Sequence, residues 1–305
     1  MRRVRYGATG GPLFLEEAPV PQPGPGELLV RCEAIGVTLP VVRKVTEAAE
    51  PVPLGGEIAG EVTAVGPAAG RFRVGDRVTG LCFGHGYADY ALLHAGMASP
   101  VPDTATAVDA VALVRSGLVA LGALEAARPE RGEAALVTAA ASGVGHLAVQ
   151  LARVRGAGRV MGAVTDPAKA GFVRSLGVDD VVTYGQEGWG EPVDYVLDAV
   201  GGDMLSHALA ALTAGGRLVA YSSGGGTIRA YDLLVGAKSV IGFQMARIAR
   251  EEPELYERWR QELWRLFEEG AVKPVVHGEF ALEEAAEAHA AVESRVNRGK
   301  VVLHP

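Results

Sequence analysis

The sequence predicts an α/β protein of two domains, a small β-barrel or sandwich followed by a doubly wound parallel sheet. Three observations predict it. At 305 residues the chain is too long for one simple core and suits two domains of about 150 residues each. The first hundred residues read as short strands punctuated by glycine. From near Asp109 onward helical and strand patterns alternate, an order that places helices on both faces of a parallel sheet.

The elements follow in order. "ELLVRCEAIGV" (27–37) alternates polar and apolar residues, and "GEIAGEVTAVG" (56–66) and "VGDRVTGLCF" (74–83) are short strands. "PVPQPGPGE" (19–27) is a connector that proline keeps out of a helix. "AVDAVALVRSGLVALGALEAA" (107–127) has a helical period. "EAALVT" (133–138) is a buried strand, "GHLAVQLARVRG" (145–156) a helix, "RVMGAVT" (159–165) a strand and "DPAKAGFVRSLG" (166–177) a helix closed by glycine. "DVVTY" (180–184), "VDYVLDAV" (193–200), "GGRLVAY" (215–221) and "KSVIGF" (238–243) are further strands. In "EEPELYERWRQELWRLFEEG" (251–270), Leu255, Trp259, Leu263, Leu266 and Phe267 fall on one helical face, the pattern of core packing. "GKVVLHP" (299–305) ends in a last strand, and no internal repeat is found.

Composition excludes several classes. Apolar residues make up 49% and charged residues 21%, a globular balance. A net charge of −7 argues against a nucleic-acid footprint, which needs a basic face. Cys32 and Cys82 are too few for a disulfide framework or a four-cysteine zinc site, and read as small buried hydrophobes in a reducing cytoplasm. The start "MRRVRYGATGGP" has no apolar core behind its basic residues, so no signal peptide is expected. No stretch supplies about 20 uninterrupted apolar residues, so no membrane span is expected either.

Chemistry enters at "VTAAASGVGHLAVQLA" (137–152), where a strand runs through a turn of small residues into a helix. The first amides of a helix lack intrahelical acceptors and its dipole is positive there, so the junction suits an anion. Small residues let a pyrophosphate approach the main chain. Ala140, Ser142 and Gly145 occupy the three glycine places of the dinucleotide fingerprint, with Gly143 as an extra, and the motif opens a series of strand–helix units. Ala141 to Gly145 therefore read as the pyrophosphate turn, with Val144 inside it. At the ribose end, Thr165 closes the second strand, Lys169 lies one turn beyond it, and Tyr184 closes the third strand. Together these three suit a 2′-phosphate. Asp166 would instead favour two free ribose hydroxyls, but its place before Pro167 suits a helix cap.

These residues resemble the medium-chain dehydrogenase/reductase superfamily, most closely its zinc-free quinone oxidoreductase branch. "LGGEIAGEVTAVG", "VGDRV", "GYADY", "AAASGVGHLAVQLA", "DPAKAGFVRSLGVDDVVTY", "DAVGG" and "RVNRGKVVL" come in the family's order along nearly the whole chain. The resemblance implies a GroES-like domain at 1–108, a Rossmann NADPH-binding domain at 109–248, and a segment 249–305 returning to the first. It also implies that Val200, Ser222, Ser223, Phe243 and Arg295 border the nicotinamide, and that relatives pair through the edge strand equivalent to 238–243. Zinc-dependent members carry a cysteine and a histidine where this chain has Thr38 and Gly56, so no metal is expected; Glu57 alone does not hold zinc. Without a Lewis acid, alcohol oxidation is disfavoured.

The expectation is an NADPH-dependent, cytoplasmic, homodimeric reductase of a quinone or enone, with Thr38 near the reacting carbonyl. The segment after Gly36-Val37 departs from the family, with Thr38, Val41 and Arg43 replacing its asparagine, aspartate and tyrosine, and Val119 replacing a threonine. Arg43 and Arg115 offer cations to an anionic substrate or to solvent. An enoyl-thioester reductase, or a protein that holds NADPH without turnover, is the alternative.

Overall fold

The computed structural model describes residues 1–221 and 224–305. The N-terminal part opens with the antiparallel pair β1 (Arg2–Tyr6) and β2 (Leu13–Glu17). The long strand β3 (Glu27–Val37) follows, then helix α1 (Leu39–Glu47) and strands β4 (Gly56–Val65), β5 (Arg77–Cys82), β6 (Tyr90–His94) and β7 (Ser99–Pro100). Helix α2 (Ala107–Ala127) comes next.

The central part alternates strands with helices. It runs β8 (Ala134–Val137), α3 (Gly145–Val154), β9 (Arg159–Val164), α4 (Ala170–Ser175), β10 (Asp180–Thr183), β11 (Val193–Asp198), α5 (Met204–Ala210), β12 (Leu212–Ala220), α6 (Ala230–Gly236) and β13 (Ser239–Gly242). Two helices, α7 (Met245–Glu251) and α8 (Pro253–Glu268), close it. The tail adds β14 (Val276–Ala281), α9 (Ala285–Glu293) and β15 (Lys300–His304).

The chain divides into two compact units, residues 1–115 with 274–305, and residues 116–273. The first is built on a seven-stranded sheet in the order β14-β15-β3-β4-β5-β7, with β6 also pairing with β3. β3 is its spine: Glu27–Arg31 pairs with β6, Ile35–Val37 pairs with β15, and β4 runs along the other edge. Leu28, Val30, Ile35, Ile58, Val62, Val78 and Leu303 form its core. Both cysteines lie in this core as free thiols, and burial pushes Cys82 up to about 11, so both stay protonated and unreactive near neutrality.

The second unit is a six-stranded parallel sheet in the order β10-β9-β8-β11-β12-β13. Numbered within the unit, that is 3-2-1-4-5-6, and the order reverses between β8 and β11. Strands buried on both faces read as continuous apolar runs, as "AALV" does.

One boundary differs from the expectation. The returning segment begins at Pro274 rather than residue 249, because α8 packs inside the second unit. Trp259 on α8 lies against Phe243, and Leu263 closes on Gly117 of α2, where an added Cβ would stand 3.0 Å from Leu263. Although Asp109, Arg115 and Glu125 interrupt it, α2 is long and apolar enough to cross a membrane by length and composition. Most of it is buried within the fold, the state expected of a helix apolar all round.

Candidate functional site

Ligands of open α/β sheets bind outside the carboxyl ends of the strands where the order reverses, here at β8 and β11. The two strand ends are stitched together by side chains. Thr138, one residue past β8, donates its hydroxyl to Asp198 at the end of β11 at 2.8 Å. The same hydroxyl accepts the Ala199 amide at 2.8 Å. Asp198 also accepts the amides of Gly201 at 2.8 Å and Val200 at 3.3 Å. A fully buried carboxylate is thus met by three donors, the condition under which such burial is tolerated.

The small-residue turn follows directly. Ala139 is left-handed with φ 47°, and the Tyr184 hydroxyl accepts its amide at 2.7 Å. Ser142 takes the Gly145 amide on its hydroxyl at 3.0 Å, and its carbonyl accepts the His146 amide at 3.1 Å. Among the described residues, no acceptor of the chain takes the amides of Ala141, Gly143 or Val144. Ala140 packs over Gly162 of β9, where an added Cβ would stand 3.0 Å from the Ala140 methyl. A Cβ on Gly145 would stand 2.1 Å from the Ala139 carbonyl oxygen, so only glycine lets α3 start this close to β8. The result is a tight turn with open amides at a helix N-terminus, which is what a pyrophosphate requires.

At the expected ribose end, Thr165 is exposed just past β9, and Lys169 is buried in the short 3₁₀ turn Pro167–Lys169. Asp166 accepts the Ala168 amide at 2.8 Å and so caps that turn. Tyr184 is half-buried, with its hydroxyl on the small-residue turn and its ring beside Trp189. It therefore braces the turn through an oxygen that accepts the Ala139 amide.

The loops beyond β11 and β12 close on each other through glycine. The Gly202 amide donates to the Gly225 carbonyl at 2.9 Å, and a Cβ on Gly224 would stand 1.8 Å from the Val200 carbonyl oxygen. Val200 thus sits in a clasped loop at the reversal point. Ser222 and Ser223 lie outside the described residues. Phe243 follows β13, but its ring packs on Trp259 and above Gly122, where an added Cβ would stand 2.3 Å from it. That ring is a packing element of the second unit.

The sequence reading left Thr138 unassigned, and it took the stretches that open at Asp198 and Tyr221 as strand ends bordering the nicotinamide without giving either side chain a contact. Tyr221 follows β12, and its hydroxyl is buried without a hydrogen-bond partner among the described residues. Thr138 and Asp198 are 60 residues apart in sequence, and only the crossover topology joins them.

Thr38 and Arg295 belong to the first unit. Thr38 is the N-cap of α1, but its side chain makes no capping hydrogen bond, so its hydroxyl remains available as a donor. Val41 turns into the core and Arg43 pairs with Glu47 at 3.4 Å, so neither replaces the polar residues usual in the family. Arg295 is exposed and left-handed at φ 55° just past α9, where glycine is the ordinary choice. At the expected metal position, Glu57 is buried in an ion pair with Lys300. Among the described residues, no three histidine, cysteine or acidic side chains cluster in a way that would hold a metal ion.

Comparison with known proteins agrees with this geometry. Residues 24–103 match the alcohol dehydrogenase GroES-like domain, and residues 176–303 match a zinc-binding dehydrogenase domain. A quinone oxidoreductase from Pseudomonas aeruginosa is 32% identical, covering 100% of this chain and 99% of its own. A mycobacterial protein solved with NADPH superposes with a TM-score of 0.92 at 31% identity over 100% of both chains. The quinone oxidoreductase of Thermus thermophilus, also solved with NADPH, gives 0.86 at 30% identity over 100% of both. On these grounds the chain belongs to the quinone oxidoreductase branch of the medium-chain dehydrogenase/reductase superfamily.

Proposed function

We propose that the protein is an NADPH-dependent reductase of quinones or of activated C=C bonds conjugated to a carbonyl, working without zinc. The observation that carries this reading is the turn at the reversal point: open amides, a glycine that admits no Cβ, and a braced left-handed Ala139. The residues fit a dinucleotide. Ala141 to Gly145 would hold the pyrophosphate, and Thr165 and Lys169 the 2′-phosphate end. The capping of Ala168 by Asp166 supports NADPH over NADH, since a carboxylate fixed in a cap is not free to receive ribose hydroxyls. Val200, the segment 222–223 and Arg295 complete the nicotinamide side in this reading.

Bound NADPH supplies a hydride. The chain's own part is orientation and charge. The Thr38 hydroxyl hydrogen-bonds to the acceptor's carbonyl oxygen as negative charge develops there, and the single proton that completes the reduction comes from solvent. The pairing of Glu57 with Lys300 supports metal independence, because a carboxylate already neutralised by an ammonium is a poor zinc ligand. The protein acts as a homodimer in this reading. β13 is an edge strand with Val240 exposed, and α6 beside it exposes Tyr231, Leu234 and Val235, an apolar edge that invites pairing with its symmetry mate.

The test is acceptor-dependent loss of NADPH absorbance with quinone, enone and enoyl-thioester panels, with and without chelator. Turnover that survives chelation is expected. Thr38→Val should slow single-turnover oxidation by about 10- to 1,000-fold. No turnover with any acceptor would reduce the protein to a dinucleotide-binding module, and turnover confined to thioesters would name a biosynthetic enoyl reductase.

A further inference from the structure

The hydroxyl of Tyr221 is buried with no hydrogen-bond partner among the described residues, a state that costs a folded protein unless something offsets it. Its place narrows what that could be. Tyr221 directly follows β12 and donates its amide to the Asp198 carbonyl oxygen at 3.1 Å, so it stands at the carboxyl end of the sheet next to the reversal point. Its phenol lies within electrostatic reach of Asp198 and Tyr184. Neither accepts from it. Asp198 is taken by Thr138, Val200 and Gly201, while Tyr184 receives the Ala139 amide. Burial and the neighbouring Asp198 hold the phenol protonated, so it is a neutral donor without an acceptor among the described residues.

We infer that the Tyr221 hydroxyl is a cofactor-binding donor, directed to an oxygen of the dinucleotide's phosphate–ribose backbone where that backbone crosses the ends of β8, β11 and β12. The inference rests on the proposed function. A neutral phenol suits this place, since it donates to an anionic oxygen without adding charge beside Asp198. The same sheet contains an internal control. Tyr195, in the body of β11, also buries a hydroxyl without a hydrogen-bond partner among the described residues, but it lies in register with Ala135 and Arg217, short of the carboxyl ends.

The experiment compares Tyr221→Phe and Tyr195→Phe with wild type in two measurements: thermal midpoint without cofactor, and NADPH affinity by fluorescence titration. Removing an orphaned hydroxyl should leave the cofactor-free midpoint unchanged or raise it by about 2 °C in both variants. Only Tyr221→Phe should also lose NADPH affinity, by about 10-fold, the size of one hydrogen bond to a charged group. Wild-type affinity in Tyr221→Phe would overturn the inference. A fall in its cofactor-free midpoint would also overturn it, because the hydroxyl would then be structural. If wild type binds neither NADPH nor NADH, the proposed function fails and the inference with it, an outcome distinct from the other two.

Discussion

Gly145 shows how one missing atom shapes the site. A Cβ there would lie 2.1 Å from the Ala139 carbonyl oxygen and 2.9 Å from the Ala140 Cα, and both obstacles are backbone. Gly145→Val should therefore displace the turn and abolish NADPH binding. The first unit, which shares no residue with this turn, should keep its own unfolding transition. Normal NADPH affinity in that variant would refute the phosphate-turn assignment. His289 makes a different case. It is buried on α9, edge-on to Tyr87 at 5.6 Å and within 3.2 Å of the Tyr87 hydroxyl, and burial pushes it from 6.5 down to about 4. The folded state thus holds it neutral where the unfolded chain would protonate it. Its contribution to stability is complete above pH 6.5 and erodes as pH falls from 6.5 towards 4, by about 1.4 kcal/mol per pH unit. Urea unfolding across that window should show the slope in wild type and a shallower one in His289→Gln. Equal slopes would assign the acid sensitivity to other groups.

At the scale of elements, β3 is secured from both sides by one ion pair. Lys300 at the start of β15 reaches Glu57 on β4, and β3 lies between these strands. The pair passes over Gly36: an added Cβ there would lie 2.8 Å from Lys300 Cε and 3.0 Å from Glu57 Oε2. Gly36 is two residues before Thr38, so the strand that presents the proposed catalytic hydroxyl is held by a residue from the chain's last strand. Lys300→Met leaves a carboxylate buried without a partner and should cost about 3–5 kcal/mol in urea unfolding. Glu57→Gln combined with Lys300→Met should cost less than the sum of the two single changes. Strict additivity would mean that the pair is not coupled. Sequence reading recovered the strands on both sides of this pair, because alternation and glycine punctuation are local signals. The pair itself links positions 243 apart, and nothing local in "GGE" or "RGKVV" announces it.

For the molecule as a whole, the same division holds. The alternating order of the second unit and the small-residue turn after β8 were legible because each strand–turn–helix junction is written in consecutive residues. The compact unit of the tail begins at Pro274 where the expectation put residue 249, since the apolar face of 251–270 does not say which core it joins; Phe243 and Gly117 decide that, and both lie outside that helix. The contact of Tyr184 with Ala139 was not legible, because it depends on how β10 lies beside β9 and β8. The exposed edge at β13 and α6 belongs to this scale as well. Light scattering at micromolar concentration should report a dimer, and Val240→Lys should shift it towards monomer. A wild-type monomer would remove the pairing proposal without touching the site.

The central claim is that the turn between β8 and α3 binds a dinucleotide and that the residues beyond β9 select its 2′-phosphate. Parallel titrations of wild type and Lys169→Ala with NADPH and NADH test it most directly. Wild type should bind NADPH more tightly than NADH, and the variant should lose about 1–3 kcal/mol for NADPH with little change for NADH. Preference of wild type for NADH, or equal losses for both cofactors, would contradict the claim.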